Sequence, residues 1–123
     1  MIYLLIGVTL GVLFFLIPQI RALSTVHAHL NLVGFVMFTI FGTAYHILPR
    51  FRGQPLHSER IAWWQLWLAN IGLVGLLILM TVSAYQSLEY LRYLQAIFGA
   101  TLALSIYLFI YNMLRTLVIT EGS

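Results

Sequence analysis

The chain has 123 residues, of which 62% are hydrophobic and 7% are charged, and its formal net charge is +3. So few charges cannot cover the surface of a water-soluble domain, which is normally about a quarter charged or more, so the composition predicts an integral membrane protein in contact with a lipid bilayer. A few scattered arginines without any lysine exclude a nucleic-acid surface, and the absence of cysteine excludes disulfides, thiolate metal sites and covalent c-type haem.

Four apolar segments follow one another with short connections. A helix needs about 20 apolar residues to cross a bilayer, and the segments come near that length at about 2–17, 26–48, 61–84 and 88–118. The first ends near Pro18 or continues through it toward Ala22, and the pattern leaves both open. It lacks the positively charged leader of a signal peptide, so we expect a retained helix. The sequence predicts an all-α, four-helix transmembrane bundle in a single domain, 1–123.

The arginines in the loops predict the orientation of the bundle. One side of the membrane receives Arg50, Arg52, Arg60 and Arg115, and the other receives Arg21 and Arg92. By the positive-inside rule, both termini face the cytoplasm. We expect the protein in the inner membrane of a prokaryote.

The second segment places three histidines at membrane depth: His27, His29 and His46. An imidazole there is costly, so it typically marks a ligand, a proton relay or a hydrogen-bonded partner. On a helix, His27 and His29 are rotated by about 200° and cannot hold one ion together. His46 lies about 26 to 29 Å further along the axis, where the interface hydrates an imidazole cheaply. We therefore favour an interfacial role for His46 over haem ligation.

Gly34 and Gly42 lie two turns apart, with Asn31 before them. Such a face admits either a flat macrocycle or a closely packed helix. In the second case, the imidazoles only bridge helices and the glycines are packing points. Both interpretations stay open.

The other polar and small residues of the segments fit helix packing. We expect Asn70, Gln95 and Asn112 to form hydrogen bonds between helices, and we expect close helix approach at Gly72, Gly75 and Gly99. Three tryptophans form a predicted interfacial belt: Trp63, Trp64 and Trp67.

Two runs of the second segment carry a resemblance to a known family. They are Thr25-Val-His27-Ala-His29-Leu-Asn-Leu-Val-Gly34-Phe-Val and Phe41-Gly42-Thr-Ala-Tyr45-His-Ile-Leu-Pro49-Arg50-Phe. Together they resemble the histidine-bearing tenth helix of subunit I of the haem-copper oxidases, especially the cbb3-type oxidase and nitric oxide reductase branch. The resemblance implies that His27 binds the iron of one haem and His29 that of another, on the other side of the helix. Arg21 and Arg92 are candidates to pair with haem propionates.

The family subunit is larger and consists of three arcs of helices around a pseudo-threefold axis. In each arc the second helix carries the metal ligands, as it does in this chain. The resemblance therefore implies a single arc, and we expect three copies to form a homotrimer. His29 of one copy and His27 of the next would then bind a haem b as a low-spin electron-transfer site. A redox partner or a quinone would be a further partner.

Some features of the family are missing from this sequence. It has no adjacent His-His pair and no copper-binding helix, and we expect Glu59, Glu89 and Glu121 in loops or at the terminus. The sequence therefore gives no support for bound copper, and it leaves open whether the protein is an oxidoreductase. Three functions remain: a haem protein for electron transfer or for O2 or NO binding, a non-catalytic assembly or partner subunit of a respiratory complex, and a haem or metal transporter.

Overall fold

A computed structural model describes residues 1–118, and all regular elements in that range are helical. Helix α1 spans Ile2–Leu16. A long second helix, Pro18–Arg52, contains a 3-10 segment, α2 (Ser24–Asn31), a π-helical segment (Leu32–Met37) and α3 (Phe38–Arg52). The last two helices are α4 (Glu59–Ser83) and α5 (Glu89–Val118). The predicted all-α membrane bundle is confirmed.

Pro18 is the first residue of the second helix and is not part of α1. Ile17 leaves helical geometry with φ −128° and ψ 87°, and the chain resumes at Pro18. A proline is tolerated at the first helical position because its missing N–H would have no partner there. The second helix consequently begins well before residue 26. Helix α1 has 15 residues, or about 22 Å of rise, whereas the other three helices are long and apolar enough to cross a membrane.

The core lies mainly between α4 and α5, around the buried side chains of Ala69, Leu73, Leu76 and Leu102. Glycines permit this contact. A Cβ atom on Gly72 would lie 2.7 Å from the backbone nitrogen of Leu102, and a Cβ on Gly75 would overlap the ring of Phe98. The prediction is confirmed for these two glycines. It is wrong for Gly99, where a Cβ would meet nothing within 4 Å among the residues described.

Amide side chains connect the helices as the sequence predicts. Asn70 on α4 accepts a hydrogen bond of 2.8 Å from the Tyr3 hydroxyl on α1. Gln95 on α5 donates to the Ser83 hydroxyl at 2.8 Å and to the Leu79 carbonyl at 3.3 Å, both on α4. Each bond satisfies a polar group that lipid cannot hydrate.

The loop before α4 is attached to α5 through Asn112, which is fully buried. Its side chain accepts from the Ser58 N–H at 3.1 Å and donates to the Ser58 carbonyl at 2.8 Å. The Thr116 hydroxyl accepts from the His57 N–H at 3.0 Å. The Ser58 hydroxyl also accepts from the Ile61 N–H at 3.2 Å and so caps α4. Asn112 was predicted to bond between helices, and it instead bonds from α5 to the loop residue Ser58, which gives the loop a defined position against α5.

Two of the glutamates expected in loops are instead the first residues of helices. Glu59 begins α4 and Glu89 begins α5, where a negative charge interacts favourably with the helix dipole. Glu121 lies outside the described residues.

We predict opposite effects for alanine at two glycines of this helix pair. Gly72→Ala places a methyl group against the Leu102 backbone, so we expect it to destabilise the fold by about 1–3 kcal/mol. Gly99→Ala has open space and should be neutral or stabilising by up to about 1 kcal/mol. Unfolding in detergent by increasing dodecyl sulfate measures both. Equal stability of the two variants would contradict this packing.

Candidate functional site

The His27 side chain lies in the contact between α2 and α1. Its Nδ1 atom is 2.8 Å from the carbonyl oxygen of Gly7. Since a carbonyl oxygen only accepts, Nδ1 donates the hydrogen, and in the neutral imidazole Nε2 then keeps its lone pair. A Cβ on Gly11 would lie 2.8 Å from the His27 Cε1 atom, and Phe14 meets the imidazole edge-on at 5.4 Å between ring centroids. Helix α1 therefore sets both the position and the tautomer of His27.

His29 reaches the same tautomer by a different route. Its Nδ1 atom lies 2.9 Å from the Thr25 carbonyl oxygen, one turn earlier in the same helix, so this nitrogen donates and Nε2 is again unprotonated. Metal-binding histidines typically donate their second ring N–H to a carbonyl or carboxylate, which orients the ring. In the neutral form, both imidazoles can therefore offer Nε2 to a metal.

The Asn31 side chain lies beside His27 and is a hydrogen-bond partner that would compete with an external ligand for its Nε2 atom. Its Nδ2 atom is 3.3 Å from each ring nitrogen of His27. Because Nδ1 already donates to the Gly7 carbonyl, Nε2 is the ring nitrogen that can accept a hydrogen bond from Asn31. The Oδ1 atom of Asn31 is buried without a partner among the residues described. Without an external ligand, this cluster bridges α1 and α2 through hydrogen bonds.

The helix changes its winding directly after this cluster. Residues Leu32–Met37 are π-helical, a geometry that occurs frequently at functional sites. Gly34 within this segment is buried, and a Cβ there would lie 2.6 Å from the Tyr3 Cβ. Gly34 therefore accommodates a closely packed helix. Gly42 has nothing within 4 Å of its Cβ position among the described residues.

A groove of about 730 Å³ opens beside His27, between α1 and the start of the second helix, and this volume falls in the range of small-molecule and cofactor sites. Its lining includes Gly11, Phe15, Arg21 and Ser24. The exposed Arg21 side chain also donates from Nε to the Phe14 carbonyl at 3.3 Å. The structure thus brings Arg21 and His27 to one groove.

The remaining residues predicted for the site lie elsewhere. His29, Gly34 and Arg92 are not among the residues that line this groove. Arg92 is exposed and lies 5.6 Å from the centroid of the Tyr93 ring.

The sequence of residues 21–120 matches the family described as "Cytochrome C and Quinol oxidase polypeptide I". The chain belongs to this family. It is also similar to Quinol oxidase subunit 1 of Sulfolobus acidocaldarius, with 40% identity over 43 residues, which are 35% of this chain and 8% of that relative. No solved structure matches the chain. The resemblance to haem-copper oxidase subunit I is confirmed, and family and long apolar helices together establish an integral membrane protein.

The donor set can be tested against the cofactors of this family. Within residues 1–118, no three His, Cys, Asp or Glu side chains come together to hold a metal ion. A haem iron requires only axial ligands from the protein. An unprotonated Nε2 beside a groove with Arg21 at its edge fits a haem.

Sequence reasoning overlooked the residues of α1 that hold His27. Gly7 and Gly11 are four residues apart and both face the His27–Asn31 cluster. This spacing is the small-residue pattern of closely packed membrane helices, and it was the available signal.

We predict that the haem-free protein contains both His27 and His29 as the Nδ1–H tautomer. Nitrogen-15 NMR of labelled histidine distinguishes a protonated from an unprotonated ring nitrogen. Gly11→Ala should displace the His27 ring and change its signals, because the new methyl group would lie only 2.8 Å from the Cε1 atom. Gly42→Ala is the matched control and should leave them unchanged. An Nε2–H tautomer in the unaltered protein would contradict the assignment.

Proposed function

We propose that this chain binds haem b and transfers electrons within the membrane, with the Nε2 atoms of His27 and His29 as axial ligands. One observation carries the proposal: each ring donates Nδ1–H to a main-chain carbonyl, at 2.8 Å for His27 and 2.9 Å for His29. This arrangement directs an unprotonated nitrogen outward from each ring. Membership of the oxidase family supports haem as the group that uses these nitrogens.

The bound haem would supply a one-electron redox centre, and the residues of this chain would position it. The Gly7 and Thr25 carbonyls hold the two imidazoles in orientation. Arg21, at the edge of the groove, would pair with a propionate through charge-assisted hydrogen bonds. Gly34 keeps the second helix close to Tyr3 of α1. Arg92 would pair with a propionate only in an assembly.

Two axial histidines on one iron require more than one copy of the chain. Residues two apart on a helix project to nearly opposite sides, so His27 and His29 of one copy cannot bind the same iron. We propose a homotrimer in which each haem lies between His29 of one copy and His27 of the next. The match over only 8% of the quinol oxidase subunit supports the idea that the chain corresponds to one part of a larger fold.

A quinol or another redox partner would supply the electrons, and the similarity to a quinol oxidase subunit of Sulfolobus acidocaldarius supports a quinol. We propose the inner membrane of a prokaryote as the location, with both termini in the cytoplasm. The distribution of arginines between the two sides supports this orientation.

The optical spectrum of the detergent-purified protein tests haem binding. We expect a b-type spectrum with two axial nitrogen ligands, and its loss or conversion in both His27→Ala and His29→Ala. His46→Ala is the matched control, since this exposed histidine also lies on the second helix. A five-coordinate spectrum that changes only with His27→Ala would instead support a gas-binding site. Absence of pigment after haem supplementation would contradict the proposal.

The assembly is tested separately by native mass spectrometry. We expect three copies with bound haem. His29→Ala should shift the population toward smaller species, because each haem then loses the ligand that one of its two subunits provides. Pigment in a monomer would refute the shared sites and leave haem binding intact.

A further inference from the structure

A polar cavity lies where the second helix ends and the loop to α4 begins. Its volume is about 490 Å³, and its lining includes His46, Arg50, Gln54 and Glu59. An apolar cavity of about 360 Å³ adjoins it, and the two share the lining residues Tyr45, Leu56 and Glu59. Neither cavity shares a lining residue with the groove beside His27, so the pair forms a separate site.

The two cavities together have the polarity profile of an amphiphile. Phe38, Phe41 and Leu66 line the apolar cavity, and such side chains favour a hydrocarbon chain. Trp63 lines it as well, and tryptophan is enriched at the level of the lipid headgroups. The polar cavity is lined by the loop beyond this level. An occupant that spans both cavities therefore has an apolar chain and a polar head.

A cation and a carboxylate line the polar cavity from two different helices. Arg50 belongs to the last turn of α3, and a guanidinium group binds a phosphate through two parallel hydrogen bonds. Glu59 is the first residue of α4, and its carboxylate accepts charge-assisted hydrogen bonds from an ammonium group. The lining thus matches a headgroup that carries one negative and one positive group.

These charges distinguish between the common phospholipid headgroups. A phosphoglycerol headgroup is anionic, so it pairs with Arg50 but is repelled by Glu59. A phosphocholine headgroup has a positive charge without an N–H group, so it cannot donate a hydrogen bond to Glu59. A phosphoethanolamine headgroup carries a phosphate and a primary ammonium with three donors, and it satisfies both residues. A free phosphate ion would gain nothing from the apolar cavity.

We propose that this pair of cavities binds a phospholipid with an ethanolamine headgroup. The phosphate pairs with Arg50, the ammonium pairs with Glu59, and one acyl chain lies in the apolar cavity. The site does not depend on haem binding by the histidines.

Native mass spectrometry of the full chain in detergent tests the proposal with three lipids that have identical acyl chains. They are dioleoyl phosphatidylethanolamine, phosphatidylcholine and phosphatidylglycerol. We expect the ethanolamine lipid to reach half-saturation at a concentration about tenfold lower than the other two, because it alone makes both charge-assisted contacts.

Two charge-removing variants should change this order in different ways. Arg50→Gln should weaken binding of the ethanolamine lipid about tenfold. Glu59→Gln should weaken it too, but should strengthen binding of phosphatidylglycerol, because the repelling carboxylate is gone. Both residues are exposed, so neither change disturbs the packing of the bundle.

Each variant has a matched control. Arg52→Gln makes the same change at an exposed arginine in the same last turn, and Glu89→Gln makes it at the first residue of α5. Neither residue lines the polar cavity, and both controls should bind the three lipids as the unaltered chain does. Equal binding of the three lipids, an unchanged order in Glu59→Gln, or displacement of the ethanolamine lipid by inorganic phosphate would overturn the proposal.

Discussion

The hydrogen bond between His27 and the Gly7 carbonyl is the contact on which the packing of α1 against the second helix depends. It joins α1, a helix of 15 residues, to the long helix that carries the histidines, and it decides the tautomer of His27. The bond requires close approach of the two helices, because a Cβ on Gly7 would overlap the Asn31 side chain. The tautomer of His27 therefore depends on close packing at the glycines of α1. A larger side chain on this face of α1 would change both the packing and the tautomer.

The long second helix contributes to two separate sites through its two ends. Its beginning carries His27 beside a groove with Arg21, and its end contributes Phe41 and Tyr45 to a cavity of about 360 Å³ between α3 and α4. Between them, the π-helical segment Leu32–Met37 shifts the register of the side chains. Such a shift alters which faces of the helix meet α1 and α4. The second helix can therefore carry a polar cluster at one end and line an aromatic cavity at the other.

Predictions that depend on residue type alone were confirmed, whereas those that depend on which helix lies opposite were not all confirmed. Amides in lipid need partners, so the interhelical bonds of Asn70 and Gln95 were predictable from residue type alone. Residue type also predicted that Asn112 is bonded, but not that its partner lies in the loop before α4. Glycine is less informative, because close approach depends on which helix lies opposite: Gly72 meets the Leu102 backbone, whereas Gly99 meets open space. Pro18 showed that a helix boundary was near, and only the backbone at Ile17 placed that boundary before the proline.

The sequence by itself determined the membrane setting, the helical class and the opposite directions of His27 and His29. Each of these follows from composition or from the helical period, which are local properties of the chain. The tertiary structure decided which carbonyl each imidazole meets, that Gly34 accommodates Tyr3, and that Gln65 is buried beside a cavity lined by aromatic rings. These facts depend on contacts between helices far apart in the sequence, and no local pattern specifies which helices become neighbours or how closely they pack.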